Sequence, residues 1–245
     1  MNENHQSECG DLGASTPAYA RRFAGAVGQY FLAIQNRKIL RGVADVSGGR
    51  LLDVGGGHAQ VTPLLASRNY LLTVAASSPE CEALLLQEMP DGGYEFVVCD
   101  LLNLPFPNEH FDGVVCLRLL AHETAWEQQL AELCRVARQT VVIDYPDRRS
   151  FNALTSLLFG IKKLTEKDTR PYRLYTRRMI ISQFKKNGFA KVSMRPEFFF
   201  PMALHRWHGS GRLVRWVEDS LRAMKTTKGL GSPVIARFDR MKRPG

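Results

Sequence analysis

Short apolar strands alternate with helical patterns through the middle of this chain, and that alternation limits its fold more than any other feature. The predicted strands cover residues 50–54, 70–75, 94–99, 111–117 and 140–145, and the predicted helices between them cover 59–68, 79–88 and 124–138. Continuous apolar strands separated by helices are typical of a parallel sheet with helices on both faces. We therefore expect an α/β fold built on a doubly wound, mostly parallel sheet.

Length and composition are those of one soluble globular domain. The chain has 245 residues, of which 44% are hydrophobic and 23% are charged. Its apolar runs are shorter than the ~18–20 residues of a membrane span, and the polar start lacks a signal-peptide pattern. The five cysteines form no C-x-x-C pair. A reducing cytoplasm is the expected compartment.

The chain divides into a short tail and one domain. Residues 1–16 are predicted to be a flexible tail because they are polar and contain Gly and Ser. Residues 17–245 are predicted to form a single domain. Within it, 17–46 carry helical spacing of apolar residues, and 150–175 are predicted to be a cap inserted after the fifth strand.

Charge is unevenly distributed along the chain. Residues 1–150 hold 12 Lys/Arg against 18 Asp/Glu, a net of −6, and residues 151–245 hold 21 against 6, a net of +15. The basic part suits an anionic metabolite, a lipid surface or RNA, and it equally suits a solvated face that only keeps the protein soluble. Charge alone does not choose between these interpretations.

The sequence Asp-Val-Gly-Gly-Gly at residues 53–57 spans the end of the first predicted strand and the turn that follows it. Glycines there let the backbone turn tightly and let a ligand lie against main-chain atoms. A dinucleotide fingerprint would require Gly or Ala at its third position, where this chain has Gln60. The motif therefore favours a different nucleotide-containing cofactor.

A second motif, residues 100–115, supports a specific interpretation of the first. Asp-x-Gly-x-Gly after a strand resembles motif I of the class I S-adenosylmethionine (SAM) methyltransferases, and the stretch that begins at Asp100 resembles the family's link between its third and fourth strands. The broad methyltransferase type 11 group is the most similar. The resemblance implies a Rossmann-like sheet of seven strands and SAM as the cofactor.

The resemblance also implies roles for individual residues. Asp53 and the glycines Gly55, Gly56 and Gly57 would lie along the methionine and ribose part of SAM. Asp100 would accept a hydrogen bond from the adenine amine, with Leu101 beside the ring. The segment 17–23 resembles the family's entry segment, so Tyr19 is a candidate for closing the site over the cofactor.

The chain departs from the family pattern after the second strand. The family usually places an acid there to accept from both ribose hydroxyls, and this chain has Ala76 followed by Ser77. A hydrogen bond to a charged group contributes ~1.5–3 kcal/mol, so its loss weakens binding by roughly 10–100-fold unless another group replaces it. Ser77 and Ser78 are the candidate replacements, and either would bond one hydroxyl directly or through water. A protein that keeps the fold without catalysis stays open as an alternative.

The acceptor is expected at the carboxyl ends of the fourth and fifth strands. Arg118 is a candidate for holding the SAM carboxylate or an acidic substrate. His122 is the candidate general base because its ordinary pKa lies near neutrality, and its other interpretation is a helix-start histidine bound only to backbone. Spacings typical of a metal site are absent from the sequence, so no metal is expected.

These observations predict a SAM-dependent methyltransferase that acts on a small, apolar or anionic molecule. RNA methylation is the alternative suggested by the basic C-terminal part, although the sequence contains no RNA-binding module. The same basic part is compatible with peripheral contact to an anionic membrane. The sequence does not indicate an oligomeric state.

Overall fold

The computed structural model describes residues 10–46, 49–150, 172–200, 216–220 and 231–242. Within these ranges the chain forms one seven-stranded sheet. Its strands are β1 Arg50–Val54, β2 Leu71–Ala76, β3 Glu95–Val98, β4 Phe111–Cys116, β5 Ala137–Tyr145, β6 Phe189–Phe198 and β7 Ser232–Arg240. All five strands expected between residues 50 and 145 are present, within a few residues of their predicted bounds.

The strand order is β3-β2-β1-β4-β5-β7-β6. The first five strands pair in parallel, and β7 runs antiparallel between β5 and β6. The predicted mostly parallel sheet of seven strands is thus confirmed. Because β7 runs in the opposite direction, its first residues lie at the same edge of the sheet as the carboxyl ends of β4 and β5.

Helices cover both faces of the sheet. They are α1 Gly10–Ala14, α2 Pro17–Ala20, α3 Gly25–Val43, α4 Thr62–Ala66, α5 Ala83–Glu88, α6 Trp126–Val136 and α7 Arg177–Lys186. One buried cluster joins the sheet to α6 and α7, where Phe184 stacks on Phe238 of β7. A second cluster on the other face includes Ile39 of α3 and Leu65 of α4. Two cores on opposite faces make the fold doubly wound, as predicted.

The helix after the glycine motif is shorter than predicted. It was expected over 59–68 and begins only at Thr62, because Ala59 adopts a left-handed conformation with φ of 54°. Pro63 then occupies the first turn, the one position in a helix that tolerates proline. The glycine loop is therefore longer than a direct strand-to-helix turn.

Part of the predicted flexible tail is helical in the structure. Residues 10–14 form α1, and the Thr16 side chain caps α2 by accepting a hydrogen bond from the Tyr19 N–H at 3.2 Å. Gly10, Asp11 and Ala14 are buried. Residues 1–9 lie outside the described residues, and the flexibility of the tail stays a prediction. Of the predicted cap 150–175, residues 151–171 also lie outside them.

Candidate functional site: a glycine loop and an adjoining cavity

The loop after β1 turns sharply beside the carboxyl end of β2. Gly55 adopts a left-handed conformation with φ of 74°, which glycine accepts without strain. Its N–H donates to the Ala75 carbonyl oxygen at 2.8 Å. A Cβ atom on Gly57 would collide with the Ser15 hydroxyl and the Cys81 carbonyl oxygen. Glycine is therefore required at position 55 by the backbone conformation and at position 57 by the close approach of neighbouring atoms.

Asp53 and His58 are buried on either side of these glycines. Asp53 Oδ2 accepts from the Thr62 hydroxyl at 2.7 Å, and Asp53 Oδ1 has no hydrogen-bond partner among the described residues. Burial raises the pKa of Asp53 to about 7, although the Thr62 hydrogen bond opposes the rise. His58 Nδ1 accepts from the Gln60 N–H at 3.2 Å. Burial and the Arg118 charge lower the pKa of His58 to about 3, so its ring is neutral near pH 7.

Helix α1 lies directly on the glycine loop and on the end of β2. Asp11 is 1% exposed, and its carboxylate accepts from the Ser77 N–H at 2.8 Å and from the Ser77 hydroxyl at 2.7 Å. A Cβ atom on Gly55 would lie 3.4 Å from Asp11 Cβ and 3.3 Å from Leu119 Cδ2. The crevice predicted to hold the cofactor is filled by the protein's own residues in this structure.

The predicted ribose and adenine contacts lie at the ends of neighbouring strands. Ala76 is fully buried, and Ser77, 8% exposed, directs both of its donors to Asp11. Asp100 is exposed, and its Oδ1 accepts from the Leu102 N–H at 2.9 Å, while Leu101 is buried in the core. Asp100 therefore stabilises a turn and keeps part of its carboxylate towards solvent.

A cavity of about 250 Å³ lies past the ends of β4 and β5. Six aromatic side chains line it, namely Tyr19, Phe23, Phe31, Tyr172, Phe198 and Phe200. Its polar lining comes from Gln35, Arg118, His122, Asp144 and Glu197. An apolar wall with a few convergent polar groups is the usual form of a small-molecule site.

Arg118 connects the cavity to the glycine loop. It has φ of 63°, and its guanidinium donates to the Tyr19 hydroxyl at 3.1 Å and to Gln35 Oε1 at 2.7 Å. The same group lies 4.1 Å from the centroid of the Phe23 ring. A Cβ atom on Gly55 would lie 3.3 Å from Cδ2 of Leu119, the neighbour of Arg118, so Leu119 borders the glycine loop. In the loop after β4, Arg118 therefore faces the cavity and its neighbour Leu119 faces the cofactor crevice.

Asp144 and His122 are two of the titratable groups that line the cavity. Asp144 Oδ1 accepts from the Arg118 N–H at 2.6 Å. Burial raises the pKa of Asp144, and the bond and charge of Arg118 oppose that rise. The His122 ring lies 5.7 Å from the Tyr172 ring, centroid to centroid. Burial, with the nearby Asp144 charge, raises the pKa of Tyr172 to about 12.

The structure groups the sequence-predicted residues into two neighbouring places. Asp53, the glycines, Ala76 and Ser77 surround the crevice, and Tyr19, Arg118 and His122 reach the cavity. The sequence analysis missed Asp11, Gln35 and Glu197. Asp11 stands in a segment without helical periodicity, so no sequence signal marked it. Gln35 lies on the apolar face of α3, where a polar residue among Phe31, Ile34 and Ile39 was the available signal.

The described residues show neither a metal site nor a membrane span. Within them, no group of three or more His, Cys, Asp or Glu side chains is placed to hold a metal ion. Their helices are all too short or too polar to cross a bilayer.

The sheet order and the glycine loop at the end of β1 define the fold as that of the class I SAM-dependent methyltransferases. Two solved structures have the same fold at low sequence identity. Geranyl diphosphate methyltransferase in complex with SAM aligns with a TM-score of 0.63 and 17% identity over 92% of each chain. Magnesium protoporphyrin IX methyltransferase from Synechocystis PCC 6803 with bound SAH aligns with a TM-score of 0.61 and 15% identity, over 90% of this chain and 92% of that one.

The sequence comparisons concern the central part of the chain. Residues 52–143 match the family model described as a methyltransferase domain. The chain is also 34% identical over 112 residues to the phthiotriol/phenolphthiotriol dimycocerosates methyltransferase of Mycobacterium leprae (strain TN). That alignment includes 44% of this chain and 41% of the curated relative, so the chain spans about two fifths of the relative's length.

Proposed function

We propose that this protein is a SAM-dependent methyltransferase that methylates a small molecule bound in the aromatic cavity. The observation that carries the proposal is the junction at Arg118 and Leu119. There, the glycine crevice of a methyltransferase-family domain adjoins a cavity large enough for an acceptor. SAM contains a sulfonium, so its methyl group is already activated. Catalysis then consists mainly of aligning acceptor and methyl and excluding water.

Different residues of the crevice would contact different parts of SAM. Gly55 and Gly57 offer a close approach to the backbone, and Ser77 offers two hydrogen-bond donors once Asp11 is withdrawn. The buried Asp53 carboxyl has a free oxygen beside the glycines, and a nearby cationic group would favour its ionised form. Asp100 remains the proposed adenine contact.

The cavity supports an acceptor with an apolar, ring-sized body. Its aromatic walls provide apolar contact area, and Arg118 with Gln35 provides polar groups at the end facing the crevice. The printed names of the similar proteins refer to dimycocerosates, magnesium protoporphyrin IX and geranyl diphosphate, and the large apolar parts of these compounds support an apolar acceptor. An anionic group on the acceptor would pair with Arg118.

A base is needed only where the accepting atom must lose a proton. We propose His122 for this role and Asp144 as the alternative, since both line the cavity. If His122 is the base, His122→Asn lowers turnover roughly 10²–10⁴-fold and leaves SAM affinity unchanged. Asp144→Asn is the matched variant, and a loss of turnover confined to it would transfer the role to Asp144. Full turnover in both variants would show that no base is used.

SAM binding tests the proposal most simply. Asp100→Ala is expected to weaken SAM binding roughly 10–100-fold, because a hydrogen bond to a charged group is lost. Titration calorimetry with SAM measures the change. Asp91→Ala removes an exposed acid from a nearby turn and provides the control. An affinity in Asp100→Ala equal to that of the control would contradict the assigned adenine pocket.

A protein that keeps the fold without catalysis is the second candidate function. Two observations favour it, namely the alanine at position 76 and the filling of the crevice by α1. It predicts no binding of SAM or of its demethylated product, whatever the state of α1.

A cytoplasmic location is part of the same proposal. Cys81, Cys99, Cys116 and Cys134 are free thiols, which suits a reducing compartment. Peripheral contact of the basic C-terminal residues with an anionic membrane is also proposed. Most of those residues lie outside the described part of the chain. Vesicle sedimentation with and without anionic lipid would test it.

A further inference from the structure

An acidic side chain of α1 enters the cofactor crevice. Asp11 reaches the end of β2, where Ala76 leaves the usual acid position vacant, and it bonds to the next residue, Ser77. The Asp11 Oδ2 atom also lies 3.7 Å from the Cys81 sulfur. From these contacts we infer that α1 is a displaceable plug, and that SAM and Asp11 compete for the same place. The inference rests on the proposed function and concerns the regulation of that site.

Steric contacts place α1 next to the glycines that a cofactor would follow. A Cβ atom on Gly55 would lie 3.4 Å from Asp11 Cβ, and the Ser15 hydroxyl occupies the space in which a Gly57 Cβ atom would stand. These are the glycines along which the methionine and ribose of SAM would lie. A molecule resting on either glycine must move α1 away.

The way α1 is held makes its displacement feasible. The helix has five residues, and isolated helices shorter than ~12–15 residues are marginal in water. Its attachment to the crevice is therefore tertiary, and the Asp11–Ser77 bonds are its main polar contacts there. The Thr16 hydroxyl accepts from the Tyr19 N–H to cap α2 and donates to the Gly13 carbonyl oxygen of α1 at 3.1 Å, so withdrawal of α1 breaks one bond to this cap and leaves the cap of α2 itself in place.

The plug is also connected to the acceptor side. A Cβ atom on Gly10 would lie 2.9 Å from His122 Cβ, and Gly10, Gly13 and His122 together line a second cavity of about 190 Å³. Withdrawal of α1 therefore uncovers the glycine loop and one side of His122 in a single movement. In the structure, α1 covers both places.

Competition between Asp11 and SAM determines whether replacing Asp11 strengthens or weakens SAM binding. A protein whose open state is only a small fraction of the population binds its ligand more weakly by that fraction. Asp11→Ala removes the bonds to Ser77 and raises the open fraction, so SAM should bind roughly 10–100-fold more tightly. If Asp11 instead held the ribose hydroxyls, the same variant would bind SAM more weakly. The two roles therefore predict opposite changes.

Titration calorimetry of the full chain with SAM is the experiment, comparing wild type, Asp11→Ala, Asp11→Asn and the exposed control Asp91→Ala. We expect tighter binding in Asp11→Ala, a smaller gain in Asp11→Asn and no change in the control. Equal or weaker binding in both Asp11 variants overturns the plug and leaves the proposed function standing. No binding by any variant at millimolar SAM overturns both.

Hydrogen exchange gives a second readout that does not depend on the variants being stable. The Ser15 N–H donates to the Asp11 carbonyl oxygen within α1 at 2.9 Å, and its exchange reports on the helix. In the wild type, SAM should accelerate exchange at Ser15 while protecting the residues around Gly55. Slower exchange at Ser15 with SAM bound would show that α1 closes over the cofactor, which contradicts the plug.

Discussion

At the scale of single residues, Asp53 and His58 combine burial with opposite responses to pH. The pKa of Asp53 rises from 3.8 to about 7 in the folded protein, whereas that of His58 falls from 6.5 to about 3. Folded Asp53 therefore holds a proton that the unfolded chain releases, and folded His58 lacks a proton that the unfolded chain binds. Their effects on stability oppose each other between about pH 4 and pH 6.5.

Asp53→Asn should separate these effects. The proton on Asp53 stabilises the wild type at pH 4, and this contribution is lost as the pH rises towards 7. The difference in free energy of unfolding between wild type and variant should therefore fall by roughly 4 kcal/mol from pH 4 to pH 7.5. Urea unfolding at several pH values measures it. A constant difference would contradict the raised pKa.

His58→Asn is the matched variant with the opposite sign. The wild type loses stability relative to this variant as the pH falls below 6.5, because the unfolded histidine takes up a proton. For each variant, the difference in free energy of unfolding from the wild type can be plotted against pH. The two plots should have slopes of opposite sign. Slopes of the same sign would show that other titrating groups, and not Asp53 and His58, set the pH dependence.

At the scale of elements, the glycine loop is the segment least tolerant of substitution. Gly57→Ala places a methyl group against the Cys81 backbone carbonyl and the Ser15 hydroxyl, and only the hydroxyl can move aside cheaply. We expect a loss of about 1–3 kcal/mol in the free energy of unfolding, together with weaker SAM binding.

Gly25→Ala is the control for that substitution. Gly25 also has a positive φ, 70°, but a Cβ atom there would meet nothing within 4 Å. It should lower stability through backbone strain alone and leave SAM affinity unchanged. Wild-type stability and affinity in Gly57→Ala would mean that the loop is looser than its contacts indicate.

The elements also show what the sequence could and could not predict. Apolar periodicity predicted the five parallel strands and the helices on both faces of the sheet. The structure confirms the strands within a few residues of their predicted bounds. Helix α4 begins late because of Ala59 and Pro63, a local effect that periodicity does not detect. Helix α1 escaped prediction because its five residues contain one large apolar side chain, Leu12, and one such residue defines no period. Its conformation depends on the crevice that it covers.

The same limit applies to the site. Strand ends located Arg118 and His122 beside the cavity, since parallel strands end at one edge of the sheet. Gln35 and Glu197 reach that cavity from α3 and β6, which lie far away in sequence. Their approach depends on tertiary packing that single-sequence patterns do not encode. The cofactor roles of Asp53, the glycines, Ser77 and Asp100 stay predictions.

At the scale of the whole molecule, the N-terminal residues 10–23 cover both halves of the site. Asp11 occupies the crevice, Tyr19 bonds to Arg118, and Phe23 stacks on the same guanidinium. One continuous segment thus links the place proposed for the methyl donor to the place proposed for the acceptor. Ordered binding, with SAM before the acceptor, is the expected consequence.

The most direct test of this account is a crystal structure of the protein soaked in S-adenosylhomocysteine. The account predicts density for the nucleoside between Gly55, Ser77 and Asp100, with α1 moved out of the crevice and the thioether sulfur directed at the aromatic cavity. An unchanged α1 with the crevice still filled by Asp11, at saturating ligand, would contradict it.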